Sequence, residues 1–324
     1  LAYNAISHDV LQHIQSDEDF NALASEAFAF QSERCAPFQT FLKGIGSPSF
    51  TIEQPAFLPI ELFKTHKVFT GSEVRQTFLS SGTEASGRST HAFADLDIYR
   101  HCSVAHFESI YGALSNHRIL ALLPSYLEQG ASSLVFMVNH FMRHARQDAS
   151  DFFLYDFEAL KTTLNQEFEG STLLIGVSYA LLDFAETSGK LPAGTIVMET
   201  GGMKGRKREL TREELHGQLS AAFGLSEIHS EYGMTELSSQ AYSTGDGWFI
   251  TPPWMKAYTT EVSDPLRQLP AGRRGCLAFI DLANRDSCAF IQTRDIGVVR
   301  EDGAFRVEGR MDRSDLRGCN LLYT

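Results

Sequence analysis

The chain has 324 residues, an apolar fraction of 43% with 24 phenylalanines, and a formal net charge of −12, enough for one large domain or two smaller ones. The acidic balance disfavours a nucleic-acid role driven by phosphate neutralisation, though not a nucleotide held by a local loop. Five cysteines (Cys35, Cys102, Cys276, Cys288, Cys319) with no C-x-x-C pair point to reduced thiols in a cytoplasmic protein, and no apolar run reaches the ~18 residues of a membrane span.

Ser16 can cap a helix whose first turn holds Asp17, Glu18 and Asp19, with Phe20, Leu23, Ala24, Ala27 and Phe28 at helical spacing. A proline-bearing irregular stretch follows, in which residues 57–63 lie extended on the main body. Lys64 and Lys67 behind it read as solvated surface cations. Residues 74–79 have the content of a strand end. Residues 80–89 are almost all hydroxyls and glycines, closed by Arg88, and a helical pattern starts at Thr90 and runs over 91–114. Strands are then expected at 118–123, 152–155, 172–177 and 195–198, and helices at 132–146, 157–168 and 180–187. Thr211-Arg212-Glu213-Glu214 is a capping box for a helix ending near Gly224, and a short strand covers 227–229. This alternation predicts an α/β fold with a doubly wound, mostly parallel sheet. From Trp248 the texture changes to short alternating strands, and Asp302-Gly303 marks a hairpin. The expected organisation is an α/β core over 1–247 and a smaller C-terminal β-rich subdomain over 248–324.

Several stretches carry candidate chemistry. Ser80, Ser81, Gly82, Thr83, Gly87, Arg88 and Ser89 sit between a predicted strand and a predicted helix, an arrangement that wraps phosphate with backbone N–H groups and a helix N-terminus. Gly82, Gly87 and Ser89 also keep the Walker spacing, with Arg88 in the lysine place. An ordinary Ser/Gly surface loop accounts for the same residues equally well. Gly201 and Gly202 follow a strand, where a flat ring or a phosphate could reach the backbone; a simple turn is the plain alternative. Glu231-Tyr232-Gly233-Met234-Thr235-Glu236 gathers an aromatic face, a hydroxyl and two carboxylates. Tyr232 could stack on a purine, Thr235 bond a phosphate oxygen, and Glu236 hold Mg²⁺. Asp295 reads as an acid in a tight turn, suited to ribose hydroxyls or to an Asx-turn. Gly309-Arg310-Met311-Asp312 is a charged turn with the same two readings. His140 and His144, one helical turn apart, lack a third metal ligand and read as structural. Asp281 could pass for the acid-ended strand that accompanies a Walker loop, on a weak signal.

Taken in order, Ser80-Ser81-Gly82-Thr83 with Gly87-Arg88, Tyr232-Gly233-Met234-Thr235-Glu236, Arg294-Asp295 and Gly309-Arg310-Met311-Asp312 resemble the adenylate-forming superfamily of acyl-CoA synthetases, peptide-synthetase adenylation domains and firefly luciferase. Residues 57–68, 122–128 and 199–205 resemble its acyl-protein synthetase branch, which supplies activated fatty acid to a reductase. The resemblance covers residues 57 to the end. It implies that residues 80–89 hold the β/γ-phosphates of ATP, that Gly201, Gly202 and Tyr232 line the adenine, and that Thr235 contacts the α-phosphate. It further implies that Glu236 holds Mg²⁺ and that Asp295 binds the ribose hydroxyls with Arg310 nearby.

The implied reaction is activation of a carboxylic acid, fatty in this branch, to an acyl-adenylate with release of pyrophosphate. The acyl group would then pass to a thiol, either coenzyme A or Cys319, which stands where the branch carries its acceptor cysteine. An acyl-reductase or acyl-carrier partner is implied as well. The sequence departs from the superfamily pattern in Arg88, which stands for a usual lysine, and in Glu84, where a hydroxyl is usual. It also stops at Thr324, so the expectation is an adenylate-forming domain without the usual C-terminal lid. Residues 177–184 are a weak candidate for the acyl pocket. A catalytically weak nucleotide- or acyl-binding protein and a Walker-type NTPase are the two competing readings.

Overall fold

Two six-stranded sheets and a two-stranded ribbon frame the computed structural model, which describes residues 3, 6–46, 51, 54–81, 87–124, 131–201 and 210–311. In chain order the strands are β1 (Leu58–Pro59), β2 (Gln76–Leu79), β3 (Thr90–Phe93), β4 (His117–Leu122), β5 (Asp151–Phe152), β6 (Ser171–Gly176), β7 (Thr195–Glu199), β8 (His229–Tyr232), β9 (Ala241–Ser243), β10 (Met255–Thr260), β11 (Gln268–Leu269), β12 (Gly275–Asp281), β13 (Phe290–Val299) and β14 (Phe305–Arg310).

The first sheet runs β5-β4-β6-β7-β8-β9. Its pairs are parallel from β5 to β8, and β9 returns antiparallel on β8. Every residue of β4 is buried, as a strand covered on both faces must be. Ile119 and Ala121 join Phe107, Met137 and Phe141 from the helices Asp97–Tyr111 and Ser133–His144. Leu120 and Leu122 join Leu160, Leu181 and Leu219 from the helices Phe157–Leu164, Ser178–Ser188 and Arg212–Phe223. The period-2 alternation of one strand thus feeds two cores, and the doubly wound α/β fold is present. The capping box at Thr211 forms, and Gly224 ends that helix at φ 70°, a left-handed cap where glycine has no Cβ penalty.

The second sheet runs β1-β13-β12-β10-β11, with β14 pairing β13 over Asp295–Val299, beyond the two residues that β1 pairs. Its strands do not bury their apolar face alone. Phe20 and Phe38, from the helices Asp17–Arg34 and Ala36–Gly44, join Phe279 and Phe290 in one core. Fully buried Gln31 donates to Asn284 O at 2.9 Å and accepts from Ala289 N at 2.7 Å, so its amide is matched to two backbone groups of the C-terminal half. With β1 parallel to β13, the described residues before 64 and those after 248 share one core.

Three local expectations need correction. Thr90 does not start a helix: residues 90–93 form β3, antiparallel to β2 from Gln76↔Phe93 to Leu79↔Thr90, and the helix begins only at Asp97. The cause is His91, fully buried with one ring nitrogen 2.8 Å from Thr235 O and the other 2.8 Å from Ser287 Oγ; these tertiary contacts hold the segment extended against its helical pattern. Asp295 lies within β13, not in a turn. Tyr232 is the last residue of β8, not a loop residue after it.

Candidate functional site

The hydroxyl-rich loop is the tip of the β2–β3 hairpin. Ser80 N donates to Ser89 O at 3.0 Å, and Ser89 N donates to Ser80 Oγ at 3.0 Å, so two serines close its base. Gly87 has φ +70°, a left-handed conformation that a side chain would strain. Its Cα faces Lys64, whose Cβ would lie 4.0 Å from a Cβ built there. Arg88 is exposed. Gly82, Thr83 and Glu84 lie outside the described residues. Because a strand follows the loop, the helix expected directly after it is not there: among the described residues the next helix begins at Asp97.

From the base of this loop the structure leads directly to the Tyr-Gly-Met-Thr-Glu segment. Ser89, 1% exposed, bonds the Glu236 carboxyl through its hydroxyl. Burial pushes Glu236 above the usual carboxylate range, while the Ser89 bond and the charges of Arg310 and Lys64 pull it back. The backbone around Glu236 is fixed from behind. Asn284 Nδ2 donates to Glu236 O at 2.9 Å, and the buried Asp281 accepts from Ser238 N and Ser239 N, both at 2.9 Å. Asp281 is therefore a structural anchor for residues 238–239, which corrects its reading as the partner acid of a Walker loop. His91, holding Thr235 O, ties the same segment to β3.

At the other end of that segment Tyr232 Oη donates to Asp295 Oδ2 at 2.9 Å. Arg310 reaches the second oxygen, Nε to Oδ1 at 3.6 Å, because β14 sets Arg310 opposite Asp295. Burial pushes Asp295 up; Arg310 and the Tyr232 hydroxyl oppose it without reversing it. The Tyr232 ring, 7% exposed, is packed by Phe249, Phe279 and Phe305 at centroid distances of 5.6, 5.5 and 5.0 Å. Tyr232 is thus an anchor for Asp295 as well as an aromatic surface, a role its sequence position does not announce.

A third cluster holds the turn at Gly201. Glu199, 2% exposed, accepts from Gly201 N at 2.7 Å and Ser178 Oγ at 3.0 Å. Arg212 Nε lies 3.3 Å and His216 Nε2 3.7 Å from its other oxygen. Burial alone would raise this carboxyl, but hydrogen bonds with His216, Ser230 and Gly201 and the Arg212 charge lower it to about 2. Arg212 also donates to Val307 O at 3.2 Å and stacks 4.8 Å from the Phe249 centroid, linking this cluster to the rings behind Tyr232. Gly201 takes φ +73°. Gly202, its expected companion at the adenine, lies outside the described residues, as does Cys319.

The structure therefore brings Ser80, Ser89, Thr235, Glu236, Tyr232, Asp295 and Arg310 into one connected set, with Gly201 joined through Glu199 and Arg212. Lys64, His91, Glu199 and Arg212 are contributors that sequence reasoning missed; only Glu199, at a strand end before two glycines, carried a signal. The acyl-pocket assignment to 177–184 fails on packing: Ala180, Leu181, Leu182 and Phe184 are spent on the core with Leu219 and Phe223. His140 and His144 stand with ring centroids 4.7 Å apart, and among the described residues no group of three metal-ligating side chains occurs. Among the same residues no helix is long and apolar enough to cross a membrane.

No protein-family model matches the chain. A long-chain-fatty-acid–luciferin-component ligase from Vibrio harveyi is 28% identical over 184 residues, which take in 51% of this chain and 48% of the relative. The chain thus matches about half the length of that relative. Among solved structures, 2-hydroxyisobutyryl-CoA ligase in complex with 2-HIB-AMP aligns with a TM-score of 0.67 at 11% identity, over 95% of this chain and 72% of that one. ATP-bound MatB from Rhodopseudomonas palustris aligns with a TM-score of 0.51 at 17% identity, over 76% and 49%.

Proposed function

We propose that this chain, which carries the fold of the adenylate-forming ligases and resembles them in sequence, activates a carboxylic acid with ATP and passes the acyl group to a thiol. The observation that carries the reading is the convergence of four distant segments. Ser80 and Ser89 bond each other at the base of the hydroxyl-rich loop, Ser89 touches Glu236, and Tyr232 and Arg310 hold Asp295. In this reading the loop hydroxyls, Arg88 and Lys64 face the β/γ-phosphates. Thr235 faces the α-phosphate, Asp295 accepts from the ribose hydroxyls, and Gly201 with Tyr232 borders the adenine.

A carboxylate oxygen of the acid attacks the α-phosphorus, and the bond to the β-phosphate oxygen breaks, releasing pyrophosphate. The nucleophile needs no proton removed, so the chain supplies position and charge compensation. A thiolate then attacks the acyl carbon and AMP leaves. Glu236, a buried carboxyl beside a serine hydroxyl and a phosphate loop, is the kind of oxygen donor that Mg²⁺ takes together with phosphate oxygens. When bound, the ion would offset negative charge on the phosphates. Fatty acids are the substrate class that the name of the Vibrio harveyi relative supports; coenzyme A and Cys319 are the two acceptors to compare.

The test is product analysis with ATP, Mg²⁺ and a panel of carboxylates. Acid-dependent AMP and pyrophosphate support the reading. ADP and phosphate formed without any acid support the Walker-type alternative, which already lacks its helix after the loop.

A further inference from the structure

The connection from β12 to β13, residues 282–289, holds several other parts of the chain. Leu282 O accepts from Tyr3 Oη at 2.9 Å, and Arg285 Nη1 donates to Ile6 O at 3.1 Å. Asp286 Oδ2 accepts from Ala94 N at 2.9 Å and from Asp95 N at 3.1 Å, directly after β3. Gln31 spans the connection from the helix Asp17–Arg34, bonding Asn284 O with its amide nitrogen and Ala289 N with its amide oxygen.

Asn284, 1% exposed, lies at the centre of these contacts. Its Nδ2 donates to Glu236 O at 2.9 Å and to Cys288 O at 3.0 Å, and its Oδ1 accepts from Ser238 N at 2.8 Å. Leu237 N donates to Met234 O at 3.2 Å, so Thr235 and Glu236 are the tip of a tight turn. The two carbonyls of that tip are each held by one side chain. Asn284 takes Glu236 O, and His91 Nδ1 lies 2.8 Å from Thr235 O. A carbonyl only accepts, so Nδ1 carries the ring proton, and Nε2 accepts from Ser287 Oγ at 2.8 Å. Both holders therefore lead back to residues 282–289. Gln31 and Ser287 are fully buried as well, and a buried polar network with its members matched specifies one arrangement.

We propose that the β12–β13 connection is a positioning element of the ligase site, in which Asn284 sets the Thr235–Glu236 turn against β3 and Gln31 holds Asn284 in place. The proposal rests on the ligase reading above. β3 starts at the base of the hydroxyl-rich loop, so this network fixes the two segments assigned to the phosphates relative to each other. Asn284 acts through the backbone of Glu236 and Ser238, which makes it a positioning residue. Gln31 gives the N-terminal helices, which carry none of the motifs, a part in the same site.

The experiment compares Asn284→Leu and Gln31→Met with the wild type and with Leu160→Ala, a substitution in a separate core of the parallel sheet. Circular dichroism and urea unfolding establish that each variant is folded under the assay conditions. ATP–pyrophosphate exchange with octanoate, laurate or palmitate is then followed as ATP and Mg²⁺ are varied. Asn284→Leu is expected to lose ~10- to 100-fold in kcat, with the KM for ATP within ~2-fold because Tyr232 and Asp295 are untouched. Its half-saturating Mg²⁺ concentration is expected to rise by ~3-fold or more, since Glu236 is displaced. Gln31→Met is expected to move kcat and the Mg²⁺ dependence in the same direction, by ~3-fold or more in kcat. Leu160→Ala is expected to move neither. In the ligand-free protein, amide hydrogen exchange at residues 236–239 is expected to quicken in Asn284→Leu and to keep the wild-type rate in Leu160→Ala. Unchanged kcat and Mg²⁺ dependence in folded Asn284→Leu, or an equal loss in Leu160→Ala, overturns the proposal alone. If Asn284→Leu does not fold, Gln31→Met decides by the same two quantities. No exchange by the wild type with any of the three acids removes the ligase reading, and the proposal with it.

Discussion

The hydroxyl of Tyr232 donates a 2.9 Å hydrogen bond to the carboxylate of Asp295, 63 positions away in the chain. The two residues belong to different sheets, so this bond joins the end of the parallel sheet to the C-terminal strands. Tyr232→Phe keeps the ring among Phe249, Phe279 and Phe305 and removes only the donor. It is expected to raise the KM for ATP by roughly 10-fold with kcat little changed, and to cost about 1–3 kcal/mol in urea unfolding, because a buried acid loses a partner. Steady-state kinetics and unfolding on the same preparation check both.

His91 makes the fold acid-sensitive. Burial lowers it from 6.5 to about 4, so the folded state holds it neutral. A depressed folded pKa contributes stability above the unfolded value, which is lost as pH falls through the folded one. Stability should therefore decline between pH 6.5 and 4, by ~3 kcal/mol from this group. His106, lowered to about 4 by burial as well, acts in the same direction. Urea midpoints across this window should fall for the wild type and fall less steeply for His91→Asn.

Glu199 acts in a lower window. Its folded value of about 2 lies below the 4.5 of a free glutamate, so its contribution is complete above pH 4.5 and is lost as pH falls towards 2; the shift corresponds to roughly 3 kcal/mol. Glu199→Leu leaves Arg212 and His216 without their anion and is expected to cost ~3–5 kcal/mol at neutral pH. Glu199→Gln, which still accepts from Gly201 N, should cost less and keep more ATP affinity. Urea unfolding and the KM for ATP of the two variants, compared side by side, separate the turn-holding role from the charge.

Cys319 is tested apart from adenylation. Cys319→Ala should leave acid-dependent AMP and pyrophosphate formation in place and abolish any acyl mass gain on the intact protein. An unchanged mass gain places the acceptor elsewhere.

The parallel sheet was readable in the sequence because its strands are short apolar runs that helices cover on both faces, and because caps such as Thr211 and Gly224 are chemically explicit. The C-terminal hairpin was readable from Asp302-Gly303. The segment after the loop was not, since Thr90–Phe93 is held extended by the buried bonds of His91 to Thr235 and Ser287, residues more than a hundred positions away. Nor were the anchoring roles of Tyr232, Asp281 and Glu199, which depend on partners in other elements. The stretch at 177–184 misled because an apolar helix face after a central strand looks the same whether it meets a substrate or another helix.

The account stands or falls on ATP–pyrophosphate exchange measured for the wild type beside Asp295→Ala. It predicts carboxylate-dependent exchange in the wild type and a loss of ~100-fold or more in kcat/KM in the variant, with the fold retained by circular dichroism. Exchange with no carboxylate, or exchange undiminished without Asp295, would contradict it.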